Sequence, residues 1–411
     1  MQTLRQDAQA IIDRALADAL PDSAVRRALE QFQKPEGRLV LIAAGKAAWQ
    51  MAKAAYDVLG PAITGGAVIT KYEHVKGPIG ALELFEAGHP VPDENSYRAT
   101  RRALELVSGL TEQDTVLFLL SGGGSALFES PLIPAEEMAD VTKQLLACGA
   151  DIVEMNTLRK RLSAVKGGRF AERCLPAKVF SIVLSDILGD PLDMIASGPA
   201  YPDSSTCEQA LAVVRKYGLR LSERALELLA QETPKTLTNV ETHITGSVRQ
   251  LCASAEQTAR ALGYTPVILT ASLRCTARDA GSFLASIAQC HQDSEASLAY
   301  IAGGETVVHL TGHGLGGRNQ EIALSAAQEI DGLRDTAVFS FGSDGTDGPT
   351  DAAGGYCDGQ TCAALAAQGI SIPDVLQDND AYHALQACGG LILTGPTGTN
   401  VNDLTVLLIR R

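Results

Sequence analysis

Along the chain, short β-branched apolar runs alternate with longer Ala- and Leu-rich stretches whose polar positions recur at helical spacing, and the short runs usually end in glycine or a small polar residue. That alternation predicts an α/β fold. In the first half, strands are expected at 38–42, 115–120 and 179–184. They run respectively into Ala43-Ala-Gly-Lys46 with a helix over 47–55, into Ser121-Gly-Gly-Gly-Ser125, and into Ser185-Asp186. Open α/β sheets bind ligands beyond the carboxyl ends of their strands, so these three loops are where a site is sought.

Residues 201–241 change character, reading as helical and charged, with an inter-domain connection near 233–240. A second series of strands is expected at 266–270, 299–302, 306–310, 337–341, 390–393 and 404–409, enough for a sheet of its own. The division that follows is 1–237 and 238–411. It agrees with a length of 411 residues, for which two domains are the natural prior. No repeat or low-complexity tract interrupts the pattern.

Composition narrows the function. The chain carries 48 acidic and 34 basic side chains, a formal charge of −14, which argues against a nonspecific polyanion binder. A single tryptophan, Trp49, and 5% aromatic content leave few platforms for stacking on bases. No apolar run approaches the ~20 residues that span a bilayer, so no membrane helix is expected. The N-terminal segment mixes charges into a helical pattern and reads as part of the fold. Nine cysteines without zinc or redox spacing read as reduced thiols of a cytoplasmic protein.

Each chemistry-bearing string has a bland reading beside a sharp one. Lys46 at a strand-to-helix turn is a solvated lysine, or a cation that faces a bound anion. In Ser121-Gly-Gly-Gly-Ser125, Gly122, Gly123 and Gly124 permit a tight turn, or let backbone amides approach a phosphate beside Ser125. Between Asn156 and Arg173 stand six basic residues and one acidic. On a helix Arg159 and Lys166 would share a face, either solvated or forming a cationic wall for a nucleotide. Asp186, Asp190 and Asp193, and likewise Asp344, Asp347 and Asp351, cap turns, or supply a general base and magnesium ligands. His89 sits in a stiff proline turn whose Asp93 is expected to cap a helix from Glu94. Gly312-x-Gly314-x-x-Gly317 is a literal dinucleotide fingerprint between an expected strand and a helix, and gives footing to an oxidoreductase.

Taken together the strings resemble the glycerate 2-kinases whose C-terminal part is the MOFRL domain. The resemblance rests on Ala44-Gly-Lys46, His89-Pro-Val-Pro-Asp93, Ser121-Gly-Gly-Gly-Ser125, Asn156-Thr-Leu-Arg159 with Lys166-Gly-Gly-Arg169, Ser185-Asp186 with Ser197-Gly-Pro199, Gly303-Gly-Glu305, Gly317-Arg-Asn-Gln-Glu321 and Gly345-Thr-Asp-Gly348. It implies a Rossmann-like α/β/α N-terminal domain, a smaller C-terminal α/β domain with its MOFRL region at about 299–408, and an active site in the cleft between them. It further implies ATP-dependent phosphorylation of the 2-hydroxyl of D-glycerate with Mg2+, by a monomer or homodimer that needs neither nucleic acid nor membrane.

On that resemblance Lys46 and Arg318 are the marker cations; for such a reaction the residues themselves suggest further roles, Asp186 being expected to orient or deprotonate the acceptor hydroxyl. Gly122, Gly123, Gly124, Ser125, Arg159 and Lys166 bind ATP, and Asp344 and Asp347 are the magnesium candidates. Relatives often read Gly-x-Gly-Lys where this chain has Ala43-Ala-Gly-Lys46. Rival readings are an NAD(P)H-dependent hydroxypyruvate reductase and a nonenzymatic binder of small phosphorylated acids.

Overall fold

The computed structural model describes residues 3–185 and 192–411. They form two compact units, one running from Ala24–Ser185 on to Thr245, the other joining the residues before Ala24 to Gly246–Arg411.

The first unit is built on β1 (Leu39–Ala44), β2 (Gly65–Lys71), β3 (Glu83–Ala87), β4 (Thr115–Leu120), β5 (Lys178–Leu184) and β6 (Val240–Gly246), in the order β3-β2-β1-β4-β5-β6. β1 to β5 pair in parallel. This is the doubly wound order, in which the direction of winding reverses between β1 and β4. β1 and β4 are apolar and buried at nearly every position because helices cover both faces of the sheet. Leu39, Leu41, Ala43, Leu117 and Leu119 pack with Met51, Ala52 and Ala55 of the helix Ala48–Leu59. Phe118 points to the opposite face, with its ring centroid 4.7 Å from Phe170 and 5.8 Å from Phe128. Each of these leucine, methionine and phenylalanine side chains, fully buried, stabilises the fold by roughly 1.5–3 kcal/mol.

The expected turnover at 237/238 differs from the observed one, because β6 is hydrogen-bonded to β5 and extends the first sheet to the end of that unit. Its alternating Val240-Glu-Thr-His-Ile244 sequence lies at the sheet edge, where one side faces solvent.

The second unit holds β7 (Thr265–Leu273), β8 (Leu298–Gly304), β9 (Thr336–Gly342), β10 (Gly354–Asp358), β11 (Leu391–Ile392) and β12 (Asp403–Ile409) in the order β11-β10-β9-β12-β8-β7. β7 and β8 are parallel and the other pairings antiparallel. On one face Ile301, Phe339, Phe341, Leu404 and Val406 pack against Ile11, Ile12 and Ala15 of the first helix, Leu4–Ala19. That burial ties the start of the chain to the second unit. On the other face Val338, Leu407 and Ile409 meet Leu284, Ala285 and Ala326. The strand expected at 306–310 is absent: Val307 makes only an isolated bridge to Thr276, and Val307 and Leu310 are 54% and 82% exposed.

No helix among the described residues is long and apolar enough to cross a membrane. All nine cysteines are free thiols.

Candidate active site

In the first unit the β1 and β4 registers match residue for residue up to Ala44 opposite Leu120, so their loops leave the sheet side by side at the point where the winding reverses. Gly45 makes the first turn at φ +126°, and a Cβ there would lie 2.2 Å from Ser121 Oγ. Only glycine allows that approach. The amide of Lys46 then donates to the Gly122 carbonyl at 2.9 Å, and the amide of Ala47 donates to Ser121 Oγ at 3.1 Å. The Lys46 carbonyl accepts from Thr70 Oγ1 at 3.2 Å and lies 3.0 Å from His74 Nδ1. The backbone of Lys46 is thus held from three sides while its side chain is exposed and forms no ion pair among the described residues. Ala43, the first residue of the Ala43-Ala-Gly-Lys46 string, is fully buried in the core.

The triple-glycine loop is shaped by what presses on it. Gly123 turns at φ +85°, and a Cβ on it would come within 3.0 Å of His89 Cδ2 and 3.1 Å of Lys46 Cγ. Gly124 makes room for the Ala196 side chain, and it opens a helix, Gly124–Leu127, of a single turn. The loop itself, not a long helix terminus, is therefore the feature available to an anion. Ser125 Oγ lies 3.2 Å from Ser197 Oγ, which donates to Asn156 Oδ1 at 3.0 Å. The amides of Gly167 and Gly168 donate to the carbonyls of Ser197 and Gly198 at 3.0 and 2.7 Å. Four of the sequence strings thereby converge on one hydrogen-bonded core beneath the loop.

The basic run is used differently from the cationic wall expected of it. The helix Ile152–Arg161 ends before Lys166, so Arg159 and Lys166 do not share a helical face. Lys166 is fully buried, ion-paired to Glu129 at 2.7 Å, and donates to the carbonyls of Ser125 and Phe128 at 2.9 and 3.2 Å. Burial lowers its ammonium to about 8, against the pull of Glu129. It therefore braces the loop from beneath and has no face open to a nucleotide. Lys160 and Arg161 are likewise buried, both paired to Asp203, and Arg169 donates to three carbonyls of residues 160–163. Arg159 alone of the predicted pair is partly exposed and forms no ion pair among the described residues. Asp186 and Asp190 lie outside the described residues, and Asp193 is paired to Lys160 at 3.2 Å.

In the second unit Arg318 opens the helix Arg318–Glu329. Its Nε and Nη2 reach Asp403 Oδ2 and Oδ1 at 2.5 and 3.0 Å, and Glu305 lies 3.8 Å away. The Asp403 carboxylate raises the guanidinium, while burial raises Asp403 itself against the opposing effect of Arg318. Glu305 follows β8, Asp344 follows β9, and Asp403 begins β12, which runs antiparallel to both, so all three come to one end of the sheet.

Asp347 is buried and caps that helix from outside it, accepting from the amides of Asn319 and Gln320 at 3.2 and 2.9 Å. Burial pushes its carboxyl up to about 6 despite those two amides. Gly317 is required beside it, since a Cβ would sit 2.2 Å from the Asp347 carboxyl carbon. With both oxygens turned into the helix, Asp347 does not fit the magnesium role expected of it. Asp344 is a partly exposed turn residue accepting from the Thr346 amide at 3.0 Å. No group of three His, Cys, Asp or Glu among the described residues could hold a metal ion.

The dinucleotide fingerprint dissolves on the same geometry. Gly312 and Gly314 pack against the backbone of Asp378 and Asp380 in a loop that begins at the end of β8, and no strand leads into them. Sequence reasoning passed over Asp403 and the loop 394–400, whose Thr397 Oγ1 donates to the Ser343 carbonyl at 2.5 Å. The signal for the loop was its Thr394-Gly-Pro-Thr-Gly-Thr-Asn400 composition. Asp403 gave none, since an acid at the head of an apolar strand reads as an ordinary boundary.

Residues 7–230 match a family described as a domain of unknown function, DUF4147, and residues 298–403 match the MOFRL family. The D-glycerate 2-kinase of Thermotoga maritima is 54% identical over 99% of each chain. The glycerate 2-kinase of Pyrococcus horikoshii is 41% identical over 91% of this chain and 88% of its own. A crystal structure of glycerate kinase from Thermotoga maritima superposes with a TM-score of 0.92 at 53% identity, over 99% of both chains. The chain belongs to the glycerate 2-kinase family that carries a MOFRL domain.

Proposed function

We propose that this chain is an ATP-dependent glycerate 2-kinase, which transfers the γ-phosphoryl group to the 2-hydroxyl of D-glycerate to give 2-phospho-D-glycerate and ADP. The observation that carries the reading is the full-length likeness to a D-glycerate 2-kinase, 54% identical over 99% of each chain. In-line phosphoryl transfer needs positioning and charge stabilisation more than covalent help. Lys46, with an exposed ammonium on a tightly held backbone, is assigned to the transferring phosphoryl group. Gly122, Gly123, Gly124 and Ser125, with Arg159, are assigned to the nucleotide phosphates.

Arg318 is assigned to the glycerate carboxylate. Its Nε and Nη2 are engaged by Asp403, which leaves Nη1 to an incoming anion and fixes the plane of the guanidinium. Asp186 is kept as the group that orients or deprotonates the acceptor hydroxyl. ATP enters as its magnesium complex, the ion carried largely by phosphate oxygens. Nine free thiols fit work in the cytoplasm. Incubation with ATP, magnesium and D-glycerate, with the product identified by NMR, tests the assignment.

A further inference from the structure

His89 has no role in the account so far, yet it stands at the centre of the first unit's loops. The site of a Cβ on Gly123 lies 3.0 Å from His89 Cδ2, 3.1 Å from His89 Nε2 and 3.1 Å from Lys46 Cγ. The missing side chain of Gly123 therefore lets the His89 ring and the Lys46 stem close directly against the loop backbone, which brings imidazole and lysine to the same point of the loop. The ring is partly buried, and neither of its nitrogens has a hydrogen-bond partner among the described residues, whereas neighbouring His74 bonds the Lys46 carbonyl through Nδ1. A half-buried imidazole with both nitrogens unengaged, beside an unpaired ammonium, has donor capacity that an anion would satisfy.

We propose that His89 is a substrate-contacting residue that donates one ring N–H to the same anion that Lys46 neutralises. Burial, together with the charges of Lys46 and Lys71, holds the imidazole below its ordinary value, so at neutral pH it acts as a neutral donor and adds direction where Lys46 adds charge. The anion is the transferring phosphoryl group of the nucleotide, to which Lys46 is assigned. The inference rests on the kinase reading for its substrates but not for its geometry.

The test compares wild type with His89→Ala, His89→Gln and Gly123→Ala. Steady-state kinetics are run against ATP and glycerate separately, and binding of ADP, a nonhydrolysable ATP analogue and glycerate is followed by calorimetry. For His89→Ala, kcat/KM is expected to fall tenfold to a hundredfold at unchanged melting temperature, with partial recovery in His89→Gln, whose amide can still donate. Gly123→Ala would push the His89 ring and the Lys46 stem off the loop and is expected to lose at least as much. Weaker binding of the ATP analogue supports the contact, whereas a loss confined to glycerate binding would overturn it. Kinetics and binding of His89→Ala within twofold of wild type would overturn the proposal. If wild type formed no phosphoglycerate, the kinase reading would fail while the ATP-analogue and glycerate titrations still decided the role of His89.

Discussion

Arg318 and Asp403 interlock through two contacts, Nε to Oδ2 at 2.5 Å and Nη2 to Oδ1 at 3.0 Å, with Asp403 at the head of the buried strand β12. The guanidinium is thereby fixed by the sheet as well as by its own helix. Arg318→Ala should lower kcat/KM on the order of a hundredfold or more, as loss of a preorganised cation does. Arg318→Lys should recover little, because an ammonium cannot reproduce the fork. A near-wild-type rate for either variant would remove Arg318 from the mechanism.

Lys46 offers the complementary case, a side chain with no ion-pair or hydrogen-bond partner among the described residues on a backbone with three. Lys46→Ala should leave the melting temperature within experimental error and reduce kcat/KM on the order of a hundredfold or more. A variant that unfolds, or one that retains activity, would contradict the division of labour between its backbone and its ammonium.

Asp347 makes a prediction in pH. Its carboxyl is raised from 3.8 to about 6 in the folded protein, so the native state holds a proton that the unfolded state releases between those values. The contribution of Asp347 to stability is therefore greater on the acid side and falls as pH rises from about 4 to about 6. Relative to Asp347→Asn, wild type should gain stability as pH is lowered through that window. Parallel denaturation curves for the two proteins at pH 4 and pH 6 would refute it.

The Lys166 ammonium, lowered from 10.5 to about 8 by full burial, works in the opposite window. Between those values the unfolded chain holds a proton that the native state has lost, so stability attributable to this group rises with pH from about 8 to about 10.5. Glu129→Gln, which leaves the ammonium buried without its partner, should destabilise the fold by about 3–5 kcal/mol. Its KM for ATP should rise, because Lys166 without Glu129 to hold it is a looser anchor for the carbonyls of Ser125 and Phe128. Chemical denaturation across pH 7–10.5 for wild type, Glu129→Gln and a Lys166→Met, Glu129→Gln double variant measures the pH dependence and the loss of stability.

Much of this was legible before any coordinates. β1, β4 and β5 announced themselves because strands covered on both faces must be apolar throughout, and the loops after β1 and β4 lie at the carboxyl ends of the strands, where open α/β sheets bind ligands. The half-exposed strand β3, with its Glu83 and Glu86, and the polar edge strand β6 gave no such signal, since their pattern is set by neighbours rather than by local sequence. Residues 306–310 carried the β-branched composition of a strand but found no partner beyond one bridge to Thr276. The basic run from Arg159 to Arg169 illustrates the harder limit. Composition reveals its charge, whereas only packing shows that Lys160, Arg161 and Lys166 face Asp203 and Glu129 inside the protein. Asp347 likewise looked like a metal ligand until its oxygens were found on the amides of Asn319 and Gln320.

The central claim is tested most directly by identifying the product. Purified protein incubated with ATP, magnesium and D-glycerate should yield 2-phosphoglycerate and ADP in equal amounts, resolved by phosphorus NMR from the 3-phosphate isomer. No phosphorylated glycerate, together with nicotinamide oxidation in a parallel incubation with NADH and hydroxypyruvate, would contradict it.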